Sequence, residues 1–322
     1  LYFIDTQDGA KKQTKFYVNP FVKIDFLKHF NFTYNFYYDN FRDEQTLYNS
    51  DYKPRMNFLT GTVTNHPATS AELAEAKVYD WRNYEQSWKS NAVLNYSQKF
   101  GGKHDVSAMG GYEEYRWWQR VIDVCKKGMV NPTLIDFNAM TTPSYLSGYT
   151  RELATRSWFG RVNYAYDSRY LFEANIRYDG SSRFAKANRW GAFPSFSAGW
   201  RISEEEFMKD LNLFDNLKLR ASWGSTGNAG ISAYQTLPMV NADNQIYYEF
   251  GSGVTTGRIP TTLGNENLTW ETTTSYNFGV DFGFWGNRIY GSADFYINKT
   301  KDLLYAQSLP LSSVYSHVLS NI

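Results

Sequence analysis

Long stretches of strict two-residue alternation constrain this chain more than any other feature. From Tyr170 to Asp179, the side chains of Tyr170, Phe172, Ala174, Ile176 and Tyr178 fall on one face of an extended strand. Leu171, Glu173, Asn175, Arg177 and Asp179 fall on the other. A period of two belongs to a β-strand with unlike surroundings on its two sides. The same rule separates Trp158, Gly160, Val162, Tyr164 and Tyr166 from Phe159, Arg161, Asn163, Ala165 and Asp167. It also separates Phe30, Phe32, Tyr34, Phe36 and Tyr38 from Asn31, Thr33, Asn35, Tyr37 and Asp39. Segments around Leu217–Gly224, Ser275–Phe284 and Ile289–Asn298 repeat it. About ten such segments are predicted, each of ~10 residues, the length of a tilted strand that crosses a bilayer. In these segments the apolar face carries no Asp, Glu, Lys or Arg, while the opposite face carries many. That distribution suits a wall with lipid outside and water inside.

Composition agrees. Aromatic residues make up 18 % of the 322 residues, a share that favours strands and membrane interfaces. The mean hydropathy is −0.54, and no run approaches the ~20 apolar residues of a spanning helix. A barrel strand meets lipid only at every second residue, so low hydropathy does not exclude it. The 33 Lys+Arg against 32 Asp+Glu leave no basic excess, so no nucleic acid is expected as a partner. The fold class is therefore all-β, a transmembrane antiparallel β-barrel, with residues 1–322 as one portion of it.

Connections sort into two kinds. Short links fall at Leu27–His29, Phe100–Lys103, Asp167–Arg169 and Trp285–Asn287, and long polar links around Asn40–Asp80, Trp117–Thr155, Asp179–Gly191 and Ser225–Glu271. This is the rhythm of short periplasmic turns and long extracellular loops. One further link on the short side, Ser203–Asp215, predicts a small amphipathic helix. Ser203 would be its N-cap, Glu204–Glu206 its first turn, and Phe207, Met208 and Leu211 its packed face.

Two blocks of sequence resemble the SusC/RagA family of TonB-dependent outer-membrane transporters. The first contains Asp179-Gly180-Ser181-Ser182-Arg183-Phe184, Asn188-Arg189-Trp190-Gly191-Ala192-Phe193-Pro194-Ser195, Gly199-Trp200-Arg201-Ile202-Ser203-Glu204 and Leu217-Lys218-Leu219-Arg220-Ala221-Ser222-Trp223-Gly224-Ser225-Thr226-Gly227-Asn228. The second contains Asn267-Leu268-Thr269-Trp270-Glu271 and Asn298-Lys299-Thr300-Lys301-Asp302-Leu303-Leu304. The resemblance implies a twenty-two-stranded barrel, of which this chain would supply about half, and a cell outer membrane of the Bacteroidota type. It implies a plug domain and a TonB-binding segment, neither of which is recognisable in this sequence, nor are the last strands of the barrel. It implies a SusD-like surface lipoprotein as partner, and allows a dimer of transporter–lipoprotein pairs. The activity implied is TonB-dependent import of oligosaccharides or oligopeptides.

Site chemistry is sparse. His29, His66, His104 and His317 lack metal-ligand spacing. The run Gly224–Gly230 lacks the Lys-Ser/Thr ending of a phosphate loop. No cofactor, metal or catalytic group is expected, and an enzyme is not expected. The Glu113-Glu114 pair is explained by a strand end. Tyr115, Arg116, Trp117 and Trp118 form the most suggestive cluster. Such aromatics stack on sugar rings or peptide side chains while Arg supplies a directed hydrogen bond. An interfacial aromatic girdle explains the same residues. Arg177, Asp179 and Arg183, read as inward-facing, could meet cargo or pair with a plug. The alternative function is a surface adhesin or structural β-protein, and, behind it, a barrel enzyme.

Overall fold

The computed structural model describes residues 7–49, 55–57, 62–64, 70–130, 136–211, 213–241, 247–251, 253–310 and 312–322. Its principal strands are β1 (Gln7–Val18), β2 (Phe21–Phe26), β3 (Phe30–Asn49), β4 (Lys77–Phe100), β5 (His104–Met129) and β6 (Met140–Tyr166). They continue as β7 (Tyr170–Ser181), β8 (Trp190–Arg201), β9 (Asn216–Asn228), β10 (Glu271–Phe284) and β11 (Ile289–Lys301). All eleven belong to one sheet, ordered β1-β3-β4-β5-β6-β7-β8-β9-β10-β11, with β2 also paired to β3. This is a meander, the topology in which each hairpin places the next strand beside the last. No described helix is long and apolar enough to cross a membrane.

The four short links are tight turns with left-handed backbones. Leu27 and Lys28, Gly101 and Gly102, and Asp167 and Ser168 are consecutive pairs at positive φ, and Trp285, Gly286 and Asn287 are a positive-φ triplet. Two successive positive φ values are what a type I′ hairpin demands, because its twist matches that of the flanking strands. All four link consecutive strands at one end of the meander, which is the periplasmic end.

The long links differ from the expectation. β4, β5 and β6 run for 24, 26 and 27 residues, far more than the ~9–11 that span a bilayer. Most of Trp117–Thr155 is therefore strand, and β3 likewise continues to Asn49. Beyond the bilayer neither face meets lipid, so the apolar/polar code lapses while backbone pairing continues.

Contacts divide the chain into two units. The first comprises residues 1–19, 37–88 and 117–152 and the second residues 20–36, 89–116 and 153–322. In the first, Ala76, Val78, Met129 and Met140 form a core, with Tyr48, Leu73 and Phe137 against it. Gly128 closes this core at φ +81°, where a Cβ would collide with the Thr141 hydroxyl. In the second, apolar rows cross the sheet in register. One runs Tyr164, Phe172, Ala198, Ala221, Phe278, Phe295, and the next Val162, Ala174, Phe196, Trp223, Tyr276, Ile297. Val162, Phe172, Ile176, Phe196, Phe278 and Phe295 are 51–64 % exposed in the chain alone. An apolar surface of this extent requires lipid.

Aromatic pairs bracket this band. Tyr166, Tyr170 and Trp200 stack at the turn end, with ring centroids 6.3 and 6.4 Å apart. Tyr112 meets Trp158 at 4.5 Å and Tyr178 stacks on Trp190 at 5.0 Å at the far end. Indole and phenol rings favour the boundary between apolar chains and wet headgroups.

The Ser203–Asp215 link holds a short helix, though a smaller one than expected. It divides into a 3₁₀ turn at Ile202–Glu204 and a helix at Glu206–Leu211. Ser203 lies inside the 3₁₀ turn and is not an N-cap, and Phe207 and Leu211 are 55 % and 65 % exposed instead of packed. The anchor is Glu205, which accepts from Arg169 at 3.2 Å and from the Trp200 indole at 3.1 Å. The Tyr170 hydroxyl, first, and then the Trp200 indole hold its carboxyl below the usual range.

Candidate cargo-facing wall

The face opposite the apolar rows collects the charges. On β5 and its neighbours, Glu113 takes the Lys89 ammonium at 2.6 Å and the Asn91 amide at 3.3 Å. Arg177, on β7, reaches Glu113 at 3.5 Å, donates to the Ser157 hydroxyl at 2.8 Å, and aims Nε at both oxygens of Asp179 at 2.8 and 2.9 Å. Its guanidinium lies 5.4 Å from the Phe159 ring centre. That ring in turn lies over Gly111, where no Cβ would fit. The result is a charged patch backed by an aromatic ring, with Arg177 fixed by three partners and 43 % exposed at its side chain. A guanidinium so held keeps its planar fork oriented.

A second patch on the same face centres on Arg220 of β9. It grips Asp281 with two bonds, 2.9 and 2.8 Å, and Asp294 at 3.1 Å. Gly279 makes room for it. Between the patches, Arg161 donates to Asn175 at 2.6 Å, Asn175 to Glu173 at 2.8 Å, and Asn163 to Ser107 at 3.2 Å. This polar lining is expected where the wall faces water, since a buried charge must be paired.

The predicted aromatic cluster is divided by the pleat. Arg116 shares its face with Tyr112 and Glu114, and it donates to Glu114 at 3.2 Å. Trp118 shares that face by alternation. Tyr115 and Trp117 share the inward face, where the Trp117 indole donates to Glu85 at 3.4 Å. Glu85 also accepts from Gln119 at 3.1 Å and from Asn83 at 2.7 Å. Glu113 and Glu114 are mid-strand residues on opposite faces, not a strand end.

Arg183 lies past the end of β7 and donates to the Ala229 carbonyl at 2.8 Å. It belongs to a loop core made by Phe184, Ile231 and Leu268, with Trp270, Leu304 and Leu319 around them. Pro194 marks where this core begins. The β8–β9 ladder stops at Ser195↔Gly224, so the missing proline N–H costs no bond there. Beyond that point Phe193 fills the space over Gly191 and Gly227 and meets Trp270 at 5.4 Å. Trp270 donates to the Arg189 carbonyl at 3.1 Å, and Asn321 clamps Thr269 from both sides at 2.9 and 3.1 Å. Sequence reading missed this hub, although Phe184, Arg189, Phe193, Leu268 and Trp270 lay in the family-like blocks; Leu319 and Asn321 lay outside them.

Among the described residues no cluster of His, Cys, Asp and Glu could hold a metal. His29 contacts the Ser97 carbonyl at 3.2 Å and His104 the Tyr164 hydroxyl at 2.8 Å. His66 lies outside the described residues.

A family model described as TonB dependent receptor-like, beta-barrel, matches residues 5–321. The chain belongs to the TonB-dependent receptor β-barrel family. Within this family it is 39 % identical over 236 residues to the TonB-dependent receptor SusC of Bacteroides thetaiotaomicron, covering 72 % of this chain and 22 % of that protein. It is 30 % identical over 302 residues to the TonB-dependent receptor P26 of Formosa agariphila, covering 91 % and 30 %. The RagAB peptide transporter superposes with a TM-score of 0.84 at 25 % identity, over 99 % of this chain and 33 % of that one. The chain thus spans about a quarter of the curated relatives it matches. As a SusC/RagA-like portion of a barrel of this family, it lies in the outer membrane, and its Arg177 and Arg220 patches stand on the face opposite the apolar rows.

Proposed function

We propose that the chain forms part of the wall of an importer that carries oligosaccharides or oligopeptides across the outer membrane, driven by TonB and working with a SusD-like surface lipoprotein. The observation that carries this reading is a TonB-dependent receptor barrel with an inward face of fixed, partly exposed hydrogen-bonding groups around Arg177. Import needs many weak, reversible contacts and no covalent chemistry, so the protein is not an enzyme. On this reading Arg177 and Asp179 offer cargo a cation, an anion and the Phe159 ring within one patch, and Tyr115 and Trp117 add inward stacking surfaces. Arg116 and Trp118 face outward and take no part, and Arg183 braces the loops.

The test is native mass spectrometry of the full-length transporter extracted from outer membranes in mild detergent. A co-purifying lipoprotein with retained glycan or peptide supports the importer and names its cargo class. A barrel recovered alone, with neither lipoprotein nor cargo, refutes it.

A further inference from the structure

The link between β8 and β9 lies at the periplasmic end of the sheet and is pinned at both its ends. At its start the Arg201 N–H donates to the Arg169 carbonyl at 2.8 Å. Glu205 then accepts from the Trp200 indole at 3.1 Å. Trp200 stacks on Tyr170, and the register places the two opposite each other on the lipid side. At its finish Phe214 packs against Phe284, with ring centroids 4.6 Å apart. Phe284 shares the apolar face of β10 with Phe278, Val280 and Phe282. Asp215 closes the link, donating its N–H to the Gly283 carbonyl at 2.9 Å and accepting from the Asn287 N–H at 3.0 Å. The chain thus leaves and rejoins the sheet along its lipid side.

Between these pins runs the Glu206–Leu211 helix. Its facing follows from angle and contact. Phe207 and Leu211 are four residues apart and share one face, and at roughly 100° per residue Lys209 points almost directly away from them. The Lys209 ammonium reaches Glu204 at 3.2 Å, and Glu204 also accepts from Arg201 at 3.0 Å. Arg201 neighbours Trp200 on an alternating strand, so it stands on the inner side. The Lys209 face therefore turns inward, and the Phe207–Leu211 face turns outward. Phe207 and Leu211 are 55 % and 65 % exposed, and Leu213 beyond them 57 %. Glu206 and Asp210 flank this face and are also exposed, while Met208 on the other flank is half-buried.

We infer that Phe207, Leu211 and Leu213 form an interfacial anchor in the periplasmic leaflet of the outer membrane, set at the boundary between headgroups and acyl chains. The occupant is lipid because the patch continues the lipid-facing surface, from Trp200 and Tyr170 at one end to Phe284 at the other. Girdle aromatics sit at headgroup level, and Glu205 ties the start of the helix to that level through Trp200. An amphipathic helix lying in the interface buries its apolar face ~5–10 Å into this boundary and keeps its charges in water. Glu206, Lys209 and Asp210 keep clear of the apolar face accordingly. The anchor fixes the depth at which this rim of the sheet rides. It rests on the outer-membrane location and not on any cargo.

The experiment uses the full-length transporter in nanodiscs of phosphatidylethanolamine and phosphatidylglycerol. A nitroxide spin label is attached at L211C, L213C or D210C, on a background without Cys125 or any other cysteine. Power-saturation spectroscopy then compares collisions with oxygen, which concentrates in lipid, and with a neutral nickel chelate, which stays in water. The oxygen-to-nickel ratio at L211C is expected to exceed that at D210C about 10-fold, as a face ~5–10 Å into the boundary demands, and L213C should agree. Frequent nickel collisions at L211C, equal to those at D210C, place the face in water and overturn the anchor. Few collisions with either reagent show that protein covers the face, which overturns it as well. Should L211C fail to insert, F207C and L213C report the same surface, and water-like ratios at both refute the inference.

Discussion

Arginine placed at three alanines tests the lipid and lumen faces directly. Ala174 lies on the lipid side of β7, four residues from Tyr170 and four from Tyr178, so it sits at the midplane between the girdles. Ala192 lies on the same side, opposite Tyr178, at the far girdle. Ala165 lies on the inner side, opposite Leu171. An arginine on the lipid face costs ~2–4 kcal/mol at the midplane and ~0–1 kcal/mol at an interface. Ala174→Arg is therefore expected to lower the folding equilibrium in vesicles by roughly 30-fold to 900-fold, and Ala192→Arg by less than about 5-fold. Ala165→Arg, whose guanidinium meets water, is expected to change it little. The assay is urea titration of the full-length barrel in lipid vesicles, followed by tryptophan fluorescence and heat-modifiable gel migration. Equal costs at all three sites, or the largest cost at Ala165, would refute both the facing and the depth assigned to these strands.

Other consequences can be checked as simply. Leu268→Ala, at a fully buried side chain, is expected to cost ~2–5 kcal/mol of loop-core stability, read as lost hydrogen-exchange protection at Thr269 and His317–Asn321 with the membrane strands unchanged. Arg177→Ala is expected to weaken cargo binding about 10-fold, ~1.4 kcal/mol. Arg177→Lys should recover little of it, because an ammonium cannot hold Asp179 and Ser157 in one plane, and calorimetry with the co-purified cargo would measure both. Because the folded Glu205 carboxyl is held below its ordinary value, its stabilising contribution is full above the unfolded carboxylate range and disappears as pH falls through the lower folded value. An acid titration of Trp200 fluorescence should show that step, and Glu205→Gln should abolish it.

The sequence made the membrane-crossing half of each strand legible because lipid enforces a chemical difference between neighbouring residues. Trp158 to Tyr166 and Tyr170 to Tyr178 could be assigned to a face one by one. The same strand β6 carried no such signal from Met140 to Glu152, since both faces there leave the bilayer, and the ladder read as loop. At the site, alternation was enough to place Arg177 and Asp179 on the inner wall, as the contacts with Glu113 and Ser157 agree. It also separates Tyr115 and Trp117 from Arg116 and Trp118, a division hidden when the four are read as one cluster. Nothing local could disclose the partners of Arg183, Trp270 or Asn321, which lie 46, 81 and 52 residues away in the chain.

Those separations bear on how the protein reaches its final state. A knot of contacts joining the β7–β8 loop, the β9–β10 loop and the residues up to Asn321 cannot close while any of its segments is still on the periplasmic side. Each must first be carried across the bilayer by the hairpin behind it, and only then can Phe184, Leu268 and Leu319 meet. Loop-closure cost delays such distant contacts, so the core forms late. Once formed, it ties these loops to one another on the extracellular side. Withdrawal of any one of these hairpins must then begin with the opening of the loop core, so unfolding starts where folding ended.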